Sequence, residues 1–431
     1  MKQSVTLACL AGASILVLLL LQWYVITQLG VGSETDALFA GMIVPQLILG
    51  VVSSSLTHVL VPLLSTADKG TFKENAWGFF LAISAVFAIL ALILSAGAGY
   101  WVPLLFPGFS EAGAALAVGL TRIQLLSMVF TASVSVLWSV YHAQQKFIWV
   151  ELAALLAGAV ALFVVTQTLP RFGIAAAAWA IVLRTALQVV LLLPGLGAPK
   201  RPKWRSPAMK DAWRRLRPLL LGATYYRTDL LIDRFLSSLA GAGGLSLLYL
   251  GQQIYGVANF LLEKAITSPM VPLVAKQAGQ GEWLSLRETF RRRLILMALI
   301  TGAVYLGFLL AGEWFLTLLI GHGGVTRENV HVLWIIMAAL AGLLIGGAMG
   351  QITSTTFYAM GDTRTPTRLS VLSFTFYVPL KFFAFLRYGL IGLAVATTVY
   401  YLGNLVVQTV VLEGFTLKSN IRRHLLSEEV I

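Results

Sequence analysis

The residues best suited to chemistry lie in one apolar stretch, 218–238, which carries Arg227, Asp229, Asp233 and Arg234. At 100° per residue along a helix, Arg227 and Arg234 point within about 20° of each other, while Asp229 and Asp233 share a roughly opposite face. Lipid accepts neither stripe, because one charge at the bilayer centre costs about 2.5–3.5 kcal/mol on insertion scales. The pattern predicts a helix held between partners, with Arg227 facing a polar cavity or paired to another helix. Arg184, Glu151, Glu263, Lys264, Glu313 and Lys381 are further ionisable residues inside apolar runs, and Arg122 and Asp36 lie near run ends. Cations so placed suit phosphate oxygens. The carboxylates of Asp36, Asp229 and Asp233 suit the coupling of an ion. Nothing here has the spacing of metal ligands, of a phosphate-cradling Gly-Lys-Ser loop or of a Ser/His/Asp set, so no catalytic residue, metal or cofactor is expected and the chain does not read as an enzyme.

The elements that position these residues are membrane spans. The chain is 58% hydrophobic and 11% charged, against roughly 25% charged in soluble domains. Apolar runs long enough to cross a hydrocarbon core of about 30 Å recur from end to end. They predict an all-α polytopic protein of about twelve spans: 5–27, 37–64, 77–101, 121–142, 149–169, 174–195, 218–238, 245–272, 294–319, 330–358, 369–386 and 389–412. The first is too long for a signal peptide and has only Lys2 before its apolar run. A single cysteine, Cys9, excludes a disulfide framework and a thiolate metal site, and reads as a small buried hydrophobe.

An even number of spans puts both termini on one side. That side collects Lys2, Lys69, Lys73, Lys146, the run Lys200 to Arg217, Lys276 to Arg293, Arg364, Arg368, Lys418, Arg422 and Arg423, against Arg171, Arg327 and Arg387 on the other. By the positive-inside rule both termini are cytoplasmic. The net charge of +13 is thus a topology signal and implies no nucleic-acid partner. The basic run, flanked by Trp204 and Trp213, is expected to lie against anionic lipid.

That run divides the chain into an N-terminal six-span lobe, 1–196, a basic cytoplasmic linker, 197–217, a second six-span lobe, 218–412, and a cytoplasmic tail, 413–431. Leu60-Val61-Pro62-Leu63 and Met270-Val271-Pro272-Leu273 match at an offset of 210 residues. Val140-Tyr141-His142-Ala143-Gln144 and Phe357-Tyr358-Ala359-Met360-Gly361 match at about 216. Both copies enter from one side, which makes them parallel repeats about an axis along the membrane normal, an arrangement suited to alternating access. The turn Gly361-Asp362 with Arg364 and a helix-starting Pro366 reads as a short polar hinge at the cytoplasmic surface.

Five blocks carry a resemblance to a known family. They are Gly32-Ser33-Glu34-Thr35-Asp36-Ala37-Leu38-Phe39, Val44-Pro45, Val61-Pro62, Ile232-Asp233-Arg234-Phe235-Leu236-Ser237-Ser238, and Phe357 to Pro366. Over about residues 27–412 the chain resembles the MurJ/MviN lipid II flippases of the multidrug/oligosaccharidyl-lipid/polysaccharide exporter superfamily. The resemblance implies two six-helix lobes around a cationic cavity built from spans 1, 2, 7 and 8. It implies a polyprenyl-diphosphate sugar as substrate, flipped from the inner to the outer leaflet for cell-wall synthesis, with glycan polymerases as plausible neighbours in the bacterial cytoplasmic membrane. Where the family places arginines in spans 1 and 2, this chain has no charge between Lys2 and Glu34 and reads Leu47-Ile48-Leu49-Gly50 after Pro45. In span 8 Gln252-Gln253 stand at the place of a family arginine. Substrate contacts therefore fall to Arg227, Lys264, Arg184, Gln252 and Gln253. The family usually has fourteen spans, and twelve are read here. Two other readings stand beside the flippase: an ion-coupled exporter of small amphipathic molecules, and a non-transporting membrane scaffold.

Overall fold

The computed structural model describes the backbone of residues 2–200 and 206–428, and their side chains except those of 2–5, 8, 53, 54, 58, 69, 218–224, 226 and 418–428. The centre of the basic linker (201–205), the side chain of His58 and those of Lys418, Arg422 and Arg423 lie outside this description.

Among the described residues every regular element is helical. The apolar runs give α1 (Lys2–Leu29), α2 (Ser33–Ser65), α3 (Lys69–Leu105), α4 (Glu111–Ala143), α5 (Phe147–Phe172), α6 (Ile174–Leu192), α7 (Pro207–Ser238), α8 (Gly244–Leu262), α9 (Ser268–Gly279), α10 (Trp283–Ile320), α11 (Arg327–Ala339), α12 (Ala341–Ala359) and α13 (Arg364–Glu428). Eight described helices are long and apolar enough to cross a membrane, nine with the bent pair α11–α12. The last of the eight, within α13, is broken in two at Gly389 (φ 60°, ψ −142°). Helix α7 falls short on apolarity because of its charges, and α8 runs into α9 through a π-helical turn, Glu263–Thr267. That turn has a cause in sequence: Pro269 has no N–H, and its ring crowds the carbonyl four residues back, so one wider turn absorbs the misfit. The twelve expected spans are each found within these elements, and α13 continues through the stretch read as a tail.

Starts are set by local chemistry. The Ser110 side chain accepts from Gly113 N at 3.2 Å, that of Ser206 from Met209 N ahead of Pro207, and Thr326 forms a capping box with Asn329. Two stops repeat in detail. After α4, Gln145 (φ 58°) and Lys146 turn back on His142 O and Tyr141 O at 3.0 and 2.9 Å; after α12, Gly361 (φ 82°) and Asp362 do the same on Tyr358 O and Phe357 O at 2.9 and 3.0 Å. These positions lie 216 residues apart, one less than the separation of Val140 from Phe357 in the sequence match.

The chain forms two compact units, residues 1–246 with 322–325, and 247–321 with 326–431. In the first, α4 is the centre, packed by α2, α3 and α6, with α5 between α6 and α1. The hydroxyls of Thr131, Ser135 and Ser139 on α4 bond to carbonyls one turn back, so a polar stripe is buried without orphaned groups. Helix α7 packs on α2 and α3, which puts the break between units inside α8 and not at the basic linker. Cys9 is exposed, contrary to the expectation of burial, because α1 turns one face to α5 and leaves the other open.

In the second unit, Ile266, Met270, Phe290, Ile352 and Phe357 form a core. Lys381 is fully buried there, its ammonium 4.7 Å from the Tyr377 ring. Tyr377 stacks on Tyr400 and bonds Thr397 at 2.9 Å. Glu413 is held by Arg287 and Arg291. Glu313, expected inside the bilayer, is half exposed and meets His331 at 2.8 Å.

Candidate functional site

Within the first unit the chain alternates between a near end, where α1 begins, and a far end, where α1 stops and α2 starts. At the far end Asp36, only 2% exposed, sits in the first turn of α2. Its Oδ2 accepts from Gly243 N at 2.6 Å, and its Oδ1 accepts from Ser246 N at 2.7 Å and from Ser246 Oγ at 2.5 Å. Ser246 Oγ also meets Thr35 Oγ1 at 3.1 Å. Asp36 therefore caps α8 from a different helix, placing a carboxylate on the free N–H groups and positive dipole end of that helix. The buried Arg234 of α7 is a further charge acting on it.

Asp36 and Ser246 are 210 residues apart, the repeat offset, so equivalent positions of the two copies bond to each other. The seal on either side repeats as well. Gly108, between α3 and α4, lies against the end of α7: a Cβ there would stand 2.0 Å from Ser238 O and 2.8 Å from Leu239 Cα. Gly324, between α10 and α11, lies against the end of α1: a Cβ there would stand 2.6 Å from Gly30 N, and its own N–H donates to Thr27 O at 2.7 Å. Gly108 and Gly324 are related by the 216 offset, and Leu239 and Leu29 by the 210 offset. The far end is thus closed by one device used twice, with the Asp36–Ser246 knot between the copies.

Further down α7, Arg227 is exposed, and its guanidinium lies against Gly50 of α2, where a Cβ would stand 2.6 Å from Nη1. It takes no ion pair among the described residues. The bare stretch of α2 that sequence marked as lacking a cation is where α7 delivers one. Arg234, expected on the same stripe, is instead 1% exposed, and Asp233 is 3% exposed; the helix passes from an open environment at Arg227 to a packed one a turn or two later. Asp229 is half-buried. Arg184, midway along α6, is half-buried with no hydrogen bond or ion pair among the described residues.

The second unit holds the others. Gln252 and Gln253 are half-buried on α8, and Lys264 is exposed on the π-helical turn, 5.5 Å from the Phe260 ring. At the hinge, Gly361 takes the left-handed conformation, and Asp362 Oδ1 accepts from Arg364 N and Thr365 N at 3.0 Å each, starting α13. Bonds from the side chain and backbone of Thr365 hold the Asp362 carboxyl below its usual range. Pro366 is buried in the first turn. Among the described residues no group of three His, Cys, Asp or Glu is placed to hold a metal.

Sequence reasoning missed Ser246, Gly243, Gly108, Gly324 and Gly50. The 210 and 216 offsets, applied to every residue and not to two motifs alone, would have paired four of the far-end positions.

The helical fold is similar to that of solved polytopic membrane proteins. It matches an inward-facing multidrug resistance MATE transporter with a TM-score of 0.77 at 16% identity, covering 96% of this chain and 95% of that one. A structure described as lipid II flippase MurJ in an inward closed conformation gives 0.80 at 16% identity, covering 99% and 92%. The chain belongs to the MurJ family: the family model described as lipid II flippase MurJ matches residues 25–425. The lipid II flippase MurJ of Burkholderia cenocepacia is 24% identical over 368 residues, 79% of this chain and 70% of that protein. A probable lipid II flippase MurJ of Vibrio cholerae is 24% identical over 217 residues, 41% of its own length.

Proposed function

We propose that this chain is a flippase that moves lipid II, or a related polyprenyl-diphosphate saccharide, from the inner to the outer leaflet by alternating access. Membership of the MurJ family across residues 25–425 carries the reading. Flipping breaks no covalent bond, so the work asked of the residues is to bind a diphosphate and to open one end at a time. Arg227 is the cation for the diphosphate: it is mid-span, exposed, and seated against α2 by the missing side chain of Gly50. Lys264, Arg184, Gln252 and Gln253 are the secondary contacts in this reading, and Asp229 and Asp233 the groups through which an ion acts.

With both termini cytoplasmic, as the cation bias argues, the far end is the outer one. The knot at Asp36 and the clamps at Gly108 and Gly324 then form an outer gate, here shut. Asp36 serves as its latch, and the Gly361–Pro366 turn serves as a cytoplasmic hinge within the second repeat, 218–412, where α12 gives way to α13. The basic linker rests on anionic lipid of the inner leaflet, and glycan polymerases are fitting partners for the product in the bacterial cytoplasmic membrane.

The test is complementation of a bacterium depleted of its essential lipid II flippase, with membrane expression confirmed. Rescue by the native chain and loss with Arg227→Ala at equal expression is the expected result. Full rescue by Arg227→Ala removes that residue from the mechanism. A multidrug resistance MATE transporter has a similar fold, and absence of rescue by the well-expressed native chain would favour the reading as an ion-coupled exporter of small amphipathic molecules.

A further inference from the structure

We propose that a second site, at the near end of the first unit, binds the headgroup of an anionic phospholipid, whose phosphate carries net negative charge. A cavity of about 870 Å³ opens there, lined among others by Leu64, Lys73, Tyr141, Gln144, Lys146 and Lys200. Its three ammonium groups come from three separate segments: Lys73 from the second turn of α3, Lys146 from the turn after α4, and Lys200 from the stretch after α6. Glu74 lies 3.9 Å from Lys200 and Asp68 stands beside Gly70 of the lining, so among the described residues three positive charges meet two negative ones.

The walls are built rather than loose. Gln144 Nε2 donates to Gly195 O at 3.0 Å, and the Tyr141 ring packs on Gly195 so closely that a Cβ there would stand 2.3 Å from it. Together they fix the short 3₁₀ turn Leu193–Leu196 to the end of α4. Gly197 follows in a left-handed conformation (φ +70°), and the stem of Lys73 lies on it, with Cε 3.3 Å from the Cβ position. The lysine is thereby aimed by packing.

The depth of the cavity says what enters. Trp149, exposed at the start of α5, donates to Leu191 O at 3.0 Å beside it. An exposed tryptophan at the end of an apolar helix marks the headgroup level of a bilayer. A cationic pocket at that level suits a phosphate mono- or diester whose chains remain in the lipid. The inference deepens the reading of lipid contact at the basic face, and it rests on that reading only for which leaflet supplies the ligand.

The experiment is native mass spectrometry of the purified full chain titrated with phosphatidylglycerol or phosphatidylcholine. It compares the native protein with Lys73→Gln/Lys146→Gln/Lys200→Gln and with the matching triple Arg variant. Retention of phosphatidylglycerol over phosphatidylcholine, weakened about a hundredfold in the Gln variant and kept in the Arg variant, is expected. Equal retention of the two lipids, or retention unchanged in a folded Gln variant, overturns the site. If the Gln variant fails to fold, loss of selectivity in the Arg variant overturns it instead. Displacement of bound lipid by inorganic diphosphate assigns recognition to phosphate itself, and resistance to displacement assigns it to the anchored headgroup. Rescue of the flippase-depleted strain is scored separately, so failure of the site and failure of the flippase reading are distinguishable.

Discussion

Arg227 and Gly50 act as one unit across two helices. The guanidinium fills the space that a side chain at 50 would take, so a bulkier residue there displaces the cation without disturbing the helix. Gly50→Val is expected to reduce rescue as Arg227→Ala does, and the double variant to be no worse than either single one; additive losses in the double variant would refute the coupling. Asp36 is the second decisive residue. Asn in its place keeps one acceptor but turns an NH₂ toward a donor, leaving a buried group unsatisfied at a cost of about 1–3 kcal/mol. The far end should then open more often, and labelling of Val31→Cys in a Cys9→Ser background should rise by about tenfold or more. Labelling equal to that of the parent would mean that the carboxylate does not hold the end shut. Arg227 stood out in the sequence as a candidate because a charge in an apolar run is expensive. Gly50 was not, since a missing side chain has meaning only once the opposite helix is known.

At the scale of elements, the apolar helices were readable from hydropathy and the turn after α12 from its Gly361-Asp362 pair. The π-helical turn was not, although Pro269 was its visible cause. The clamps were invisible for a different reason: each joins a loop to a helix end more than a hundred residues away. Ala at Gly108 or at Gly324 meets backbone and not a flexible side chain, so either should favour the open far end and raise Val31→Cys labelling as Asp36→Asn does. Unchanged labelling in both would dismiss the clamps. At the hinge, the Asp362 carboxylate is favoured by its bonds to the start of α13. Its folded value lies below the ordinary one of about 3.9, so its contribution is full above that value and lost as pH falls through the folded one. Protection factors of the Arg364 and Thr365 amides, taken against the intrinsic rate at each pH, should therefore fall below about pH 4, and Asp362→Asn should abolish that step. A step that persists in the variant would place its origin elsewhere.

For the molecule as a whole, a repeat written in the sequence at 210 and 216 residues returns as one closure built from equivalent parts. Equivalent residues meet at its middle, and equivalent glycines press on equivalent helix ends at its flanks. All of its parts lie in the first unit, and in the flippase reading this contact is what must release for the far end to open. The most direct test is a reversible lock across it. Thr35 Oγ1 and Ser246 Oγ lie 3.1 Å apart, so Thr35→Cys/Ser246→Cys in a Cys9→Ser background places two thiols within reach of a disulfide. In the flippase-depleted strain, this variant should support growth while reduced, lose that support on oxidation and regain it on re-reduction, with each single cysteine indifferent to oxidant. Growth that continues with the disulfide fully formed would contradict the account, because transport would then proceed without opening the far end.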